Sequence, residues 1–542
     1  MKLEKLLETE ARFKYYELCE DAKVKIYDTT LRDGAQSRDV NFSVHDKLEL
    51  VKALDDYGTD YIELGWPGAN EDETRVFQKA RKLKLKNARI VAFGSTRKLN
   101  TTAAKDCNLR NLVKSGAKIA CIFGKTWVEH VEKQLKGTPE QNLESVEDSI
   151  KYLRKKGMQV FFDAEHFFDG YKDNKEYALH VLKTAYRAGA SCLVLCDTRG
   201  KTVTKELRKI VAEVQNYMGK NKINVELGIH CHNDSGLAAA NTLEAVDFGI
   251  KHVQVTVNGF GERAGNADLC TVVPDLVLKY KKKLKVKLTK TKKLSDLAYA
   301  LANTRKNPRQ PFVGENAYYH EGGAHVDAIA KIGFHAYEHE KPELVGNERH
   351  IGLSNLAGRA NIAEFARSIG RKINKKDPRA ALMLKKVEKM YSEGYDLTLP
   401  AERMLLYNRF FGKKKSLFSV SSWKVLTGMD NGAEYSECIM SGRANGTELD
   451  VVAKVPDGGP VDALFHALLK LVSGRYRKAG QVRLVNYKVR IAKDKGVESA
   501  VNVFIEYANN RDRWATEGIS TNILEASLIS IMKGFEYYLM RQ

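Results

Sequence analysis

No two of the eight cysteines (Cys19, Cys107, Cys121, Cys192, Cys196, Cys231, Cys270 and Cys438) form a CxxC pair; they are scattered through 542 residues. This excludes a zinc ribbon and argues against a disulfide framework, leaving reduced core thiols. An unbroken apolar run of about 18 residues is also missing, so no transmembrane helix and no membrane partner are expected. The opening Met1-Lys2-Leu3-Glu4-Lys5 carries no apolar leader core, which makes a cytoplasmic setting the expectation. Low-complexity tracts are absent. What is present, 43% hydrophobic and 29% charged residues, describes an ordinary soluble chain of two or three domains.

The net charge of +21 raises the question of a nucleic-acid partner. The densest basic run, Lys279 to Lys293, contains a single aromatic, Tyr280, too few for a base-stacking platform. The run reads as an exposed basic connector, and no nucleic-acid partner is expected. Attraction of a small anionic substrate is the alternative use of the charge.

After a helical lead-in over residues 3–20, eight short β-branched runs alternate with helical patterns. They are Val24–Asp28, Tyr61–Gly65, Ile90–Phe93, Lys118–Phe123, Gln159–Asp163, Cys192–Asp197, Glu226–His230 and His252–Thr256. Eight largely apolar strands within about 260 residues predict a (β/α)8 barrel. Residues 1–285 are assigned to the barrel and 286–412 to a helical connector. A basic link, Gly412 to Ser416, leads into an α+β module over 413–542. Strand-like runs are Trp423–Thr427, Glu434–Ser441 and Glu448–Val455 before a helical Pro460–Val472, then Tyr487–Ile491 and Ser499–Tyr507 before a closing helix Ile523–Leu539. Two halves, each strands followed by a helix, suggest a pseudo-symmetric regulatory domain.

Chemistry-bearing residues collect where the strands end, the end of a barrel at which sites are built. Asp28, Arg32, Asp33 and Gln36 crowd the loop after the first strand, and Glu63 lies in the second. Asp163, Glu165 and His166 end the fifth, and Asp197 and Thr198 the sixth. In His230-Cys231-His232 both imidazoles point to one face of the seventh strand, because side chains two apart share a face. With Asp33 and the amide oxygen of Asn266 they make a mixed N/O set suited to Mg, Mn or Zn. Asn258 to Asn266 is a glycine-spaced loop that permits close ligand approach. His325, between glycines and Asp327, reads by itself as a satisfied loop histidine. Asp457-Gly458-Gly459-Pro460 reads as a helix cap with free N–H groups.

Taken together, Asp28 to Gln36, the His230/His232 pair and Gly259 to Asn266 resemble the citramalate synthase and 2-isopropylmalate synthase family over nearly the whole chain. The related hydroxymethylglutaryl-CoA lyases would carry a catalytic cysteine in the glycine-rich loop, and none stands there. The resemblance implies a Claisen condensation of acetyl-CoA with a 2-oxo acid, with Asp33, His230, His232 and Asn266 on the metal. Arg32 and Gln36 would bind substrate, Arg32 polarising the keto group, and Thr198 would take the carboxylate. Glu165 would orient acetyl-CoA or the base. His325, steered by Asp327 and assisted by Tyr337, would lead to removal of the methyl proton, reaching over from the partner in a homodimer. Gly65 to Asn70 and Phe161 to Tyr171 look like the branch using pyruvate; 2-oxoisovalerate, for leucine biosynthesis, is the alternative. Bulky Phe161 to Phe168 are expected to shrink the substrate pocket. Two departures stand out: Arg199 before Gly200, where a small or amide residue is expected, and Ala324 before His325. Feedback inhibition by isoleucine is implied for the C-terminal domain.

Overall fold

The computed structural model describes residues 23–542 except 355, 370, 375, 413–416, 431 and 494–498. The expected lead-in helix and most of the basic link therefore lie outside the described residues. Eight parallel strands close into a barrel: β1 (Lys25–Asp28), β2 (Tyr61–Gly65), β3 (Arg89–Ser95), β4 (Ile119–Lys125), β5 (Gln159–Glu165), β6 (Cys192–Asp197), β7 (Glu226–Cys231) and β8 (His252–Val255). Closure comes from β1 pairing with β8, Lys25 opposite His252 and Asp28 opposite Val255.

Alternation along the strands sorts the side chains. Ile26, Ile62, Ile122, Phe162, Leu193 and Val253 point outward into the layer shared with the helices. Tyr27, Tyr61, Val91, Phe93, Cys121, Phe161 and Val194 point inward and fill the barrel. A small strand barrel is a packed core rather than a pore. Each large aliphatic side chain buried this way contributes about 2 kcal/mol.

The lysine-rich run after the barrel is tied to acids. Lys279 pairs with Glu340 at 2.8 Å, Lys287 with Asp56 at 2.8 Å and Lys285 with Asp60 at 3.7 Å, while Lys290 also reaches Asp56. Among the described residues, no helix is long and apolar enough to cross a membrane.

The chain divides into two compact units. One runs through Tyr318 and includes Glu340–Glu348; the other comprises Tyr319–His339 and Arg349–Gln542. The second contains the short pair β9 (Tyr319–His320) and β10 (His350–Ile351), four helices over 323–411, and two three-stranded antiparallel sheets. The first sheet is β11 (Phe418–Asp430), β12 (Ala433–Ala444) and β13 (Thr447–Pro456), followed by the helix Pro460–Ser473. The second is β14 (Arg483–Lys493), β15 (Ala500–Ala508) and β16 (Arg513–Ser520), followed by Ile523–Met540. The repeat of three strands and a helix is the pseudo-symmetry expected. Strand β16 was not foreseen, and His325 lies in the helix Gly323–Ile332 rather than in a loop.

Candidate active site

The loop after β1 is wound so tightly that one carbonyl serves three donors. The Thr29 oxygen accepts from the N–H groups of Arg32, Asp33 and Gly34 at 3.2, 2.9 and 3.1 Å. Leu31 is pulled into the core while Arg32 and Asp33 are left over the mouth. Asp28 does not join them. Its carboxylate accepts from the Thr30 N–H at 3.0 Å and hydroxyl at 2.8 Å, and burial pushes its pKa up to about 7. It braces the turn. Gln36 sits at the exposed outer end of the same loop.

Glu63, fully buried on β2, fixes the arginine. It accepts from Arg32 Nε at 2.6 Å, from the Thr29 hydroxyl at 2.5 Å and from the Tyr27 hydroxyl. The Arg32 guanidinium lies 3.6 Å over the ring of Phe93. Burial alone would lower its pKa, yet Glu63 and then Asp33 hold it charged. Phe93 stacks on Phe123, and Trp66 meets both edge-on. The aromatic wall beside the arginine is thus made by Trp66, Phe93 and Phe123. The expectation for Phe161 to Phe168 is corrected. Phe162, Phe167 and Phe168 belong to the outer layer, and Phe161 faces Tyr27, Tyr61 and His252 inside the barrel. Alternation along β5 turns Phe162 outward, and Phe167 and Phe168 lie on the helix that follows it, Phe167–Asp173.

Asp33, His230 and His232 converge. Asp33 Oδ2 lies 3.3 Å from His230 Nε2 and 3.9 Å from His232 Nε2, and one ligand atom from each of the three fits within 4.8 Å. Burial alone would raise the pKa of Asp33, but Arg32 and then His230 hold it far below the usual carboxylate range. Burial, reinforced by His230, lowers His232 to about 3, so its ring is a neutral donor. Asn266 is placed beside His232 by the glycine-rich loop folding back on β7, with Ala267 N–H donating to Cys231 O at 3.0 Å. Gly265 makes that fold possible: its φ is +89°, and a Cβ there would meet the Gly259 carbonyl at 2.0 Å. The Asn266 NH2 donates to Phe260 O at 3.2 Å, while its Oδ1 is buried without a hydrogen-bond partner. Two imidazoles, a carboxylate and an orphaned amide oxygen are a donor set that fits a divalent cation.

Around this cluster, Thr198 Oγ1 accepts from the His166 N–H at 2.8 Å and keeps its own proton to donate. Arg263 donates to the Thr198 carbonyl at 2.8 Å and clasps Asp234 through Nε at 2.7 Å. Glu165 pairs with buried Lys125, its register neighbour on β4. Arg199 lies over Trp127 and 3.6 Å from Asp169, on the rim.

His325, Asp327 and Tyr337 fall in the second unit. His325 is exposed and stacks on exposed Tyr337 at 3.9 Å, and Asp327 pairs with Lys331 at 2.5 Å. Sequence reasoning missed the role of Glu63 and passed over Gln254, which contacts His230. It also missed His320, whose Nε2 lies 3.1 Å from Glu338 beside Arg349. A polar residue in an otherwise apolar strand run was the available signal for the first two.

Fold and cluster together define the class: a (β/α)8 barrel with a candidate divalent-metal centre at its C-terminal mouth. Comparison with known proteins agrees. A family model described as HMGL-like matches residues 23–298, a homocitrate synthase post-HMGL domain-like model 312–393, and a LeuA allosteric (dimerisation) domain model 400–539. The chain is 41% identical over 524 residues to an (R)-citramalate synthase of Sulfolobus acidocaldarius, covering 96% of this chain and 97% of that protein. It is 42% identical over 522 residues to one of Geobacter sulfurreducens, covering 95% and 97%. Against a 2-isopropylmalate synthase of Methanocaldococcus jannaschii the identity is 29% over 532 residues, covering 96% and 95%. The chain belongs to the HMGL-like family and, within it, to the family of the (R)-citramalate synthases.

Proposed function

We propose that the chain is a cytoplasmic acyltransferase that condenses acetyl-CoA with pyruvate and hydrolyses the thioester, giving (R)-citramalate and CoA for isoleucine biosynthesis. The observation that carries this reading is the convergence of Asp33, His230 and His232 beside an arginine clamped by Glu63. Asp33, His230, His232 and Asn266 would hold a Mg, Mn or Zn ion, which when bound supplies Lewis-acid polarisation of the keto oxygen. Arg32, held rigid from three sides, stabilises the negative charge that develops on that oxygen. Thr198 donates a hydrogen bond from its hydroxyl to the pyruvate carboxylate, and Gln36 closes the outer side of the pocket. Trp66, Phe93 and Phe123 form an apolar wall beside Arg32, against which the methyl group of pyruvate would rest.

Glu165, paired with Lys125, orients the acetyl thioester. His325, steered by Asp327 and assisted by Tyr337, serves the removal of a proton from the acetyl methyl. The resulting carbon nucleophile adds to the keto carbon of pyruvate, and the alkoxide takes up a proton. Water then cleaves the thioester, releasing the CoA thiol and a carboxylate. His325 and Tyr337 come from the partner of a homodimer. Residues 1–285 form the catalytic barrel, 286–412 complete the site, and 413–542 take isoleucine as feedback inhibitor.

The test is release of free thiol with each oxo acid, with and without EDTA. Pyruvate should be turned over more efficiently than 2-oxoisovalerate, and EDTA should abolish both activities. Equal rates with EDTA would end the metal reading, and preference for 2-oxoisovalerate would reverse the substrate. His230→Ala should lose turnover by about 100-fold or more with its circular dichroism unchanged.

A further inference from the structure

Two buried residues that no substrate or metal role claims lie behind His230. Gln254, on β8, is 1% exposed, and Asp163, on β5, is 4% exposed. The Gln254 amide bridges them: its NH2 donates to Asp163 Oδ1 at 3.0 Å, and its Oε1 lies 2.8 Å from His230 Nδ1. Nothing about this chain of contacts is local in sequence; β5, β7 and β8 each supply one member.

The carboxylate decides which way the amide faces. A carboxylate oxygen accepts only, so the amide must turn its nitrogen to Asp163 and its oxygen to His230. An oxygen facing Nδ1 requires Nδ1 to carry the proton. The neutral imidazole then has its lone pair on Nε2, 3.3 Å from Asp33 Oδ2, where a cation between the two would take the place of the second proton that the Asp33 carboxylate otherwise favours. We infer that Gln254, held by Asp163, is a positioning residue that sets the His230 tautomer and aims its lone pair into the Asp33–His232 cluster. The inference rests on the metal reading given above, but it concerns His230 itself and is legible without the ion. Partners of this kind behind a ligating histidine fix ring orientation and raise ligand basicity, and their loss costs about 10–100-fold in metal affinity.

The plain structural alternative is that Gln254 only satisfies buried polar groups. An exchange of partners separates the two. Gln254→Leu removes the acceptor. The double change Gln254→Glu with Asp163→Asn swaps carboxylate and amide, keeps one negative charge in the pair and restores an acceptor to Nδ1. Two readouts are needed: Mn2+ affinity, by titration of the full-length protein against a chromophoric chelator, and the His230 tautomer, by 15N-histidine NMR of the metal-free protein well above the imidazole pH range.

The wild type should show the Nδ1–H form. Gln254→Leu should show a tautomer mixture with Mn2+ bound about 10–100-fold more weakly. The swap should restore the Nδ1–H form and bring affinity to within about 3-fold of wild type. An unchanged tautomer and affinity in Gln254→Leu overturns the inference, and so does an Nε2–H form in the swap. Should Gln254→Leu not fold, the swap decides by its tautomer alone. If wild type fails to bind Mn2+, the metal reading falls while the NMR arm still decides the tautomer.

Discussion

His252 shows how a single side chain can make stability depend on pH without touching the site. It is fully buried, its two ring nitrogens have no hydrogen-bond partner, and Tyr27, Phe161 and Tyr61 pack around it at 5.0, 5.1 and 5.7 Å. Burial, with Lys25 nearby, lowers its pKa to about 3, so it folds neutral. The unfolded chain binds a proton there below about pH 6.5 and the folded chain does not. Stability from this residue is therefore complete above pH 6.5 and falls with pH toward 3, by about 1.4 kcal/mol per unit within that window. Asp28 and Asp163, raised by burial to about 7 and about 6, slope the other way, losing stability as pH rises above about 4. The prediction is thus a difference. Denaturant midpoints measured from pH 4 to 6.5 should have a more positive slope against pH in wild type than in His252→Phe, by about 1.4 kcal/mol per pH unit once converted to stability, because the variant keeps only the opposing carboxyl slopes; identical slopes would assign the dependence elsewhere. The same residue shows what the sequence conceals. His252 opens an apolar run and reads as polar, and only the inward face of β8 makes it a core residue. Glu63, Gln254 and the misplaced Phe162 fail for the same reason, facing being set by partners on distant strands, whereas Phe167 and Phe168 were misplaced because the chain has already left the strand for a helix.

At the scale of elements, periodicity served well where a strand is mostly apolar. Residues Tyr61–Gly65 and Cys192–Asp197 are bounded by the structure as the pattern bounds them. It failed at β16, whose inward positions include Trp514, Thr516 and Gly518. The helix Ile523–Met540 packs so close that a Cβ at Gly518 would meet the Ala526 carbonyl at 1.8 Å, and the Thr516 hydroxyl is spent on Ser530 O at 2.8 Å. Close packing demanded a glycine and a hydroxyl where a pattern seeks aliphatics. The loop Asn258–Asn266 carries the corresponding prediction for the site. Gly265→Ala adds a Cβ against the Gly259 carbonyl at a φ that alanine resists. The loop must shift, moving Asn266 from His232. Turnover should drop about 10-fold or more while the thermal midpoint changes by only a few degrees, consistent with a cost of about 1–2 kcal/mol spread over one loop. Wild-type kcat/KM and metal affinity in this variant would refute a ligand role for Asn266.

For the whole molecule the question is what the C-terminal sheets do. The first sheet covers one face with the helix Pro460–Ser473, burying Cys438, Met440 and Ala453. On the opposite face Ile439 stands directly across from Val452, and Leu426 lies on the neighbouring strand, 40%, 50% and 42% exposed. Exposed apolar side chains on a sheet face suit an association surface, and the matching LeuA domain model is described as a dimerisation domain. The expectation is a homodimer through this face. Ile439→Glu with Val452→Glu places like charges opposite each other on adjacent strands of both copies, which costs several kcal/mol against association. Sedimentation velocity should show a shift from dimer to monomer. If exposed His325 and Tyr337 serve the partner's barrel, as proposed, the monomer should also lose turnover, with metal affinity unchanged since Asp33, His230 and His232 belong to one chain. A monomer that keeps full activity would place His325 in the service of its own barrel; a dimer that persists would move the interface to another face.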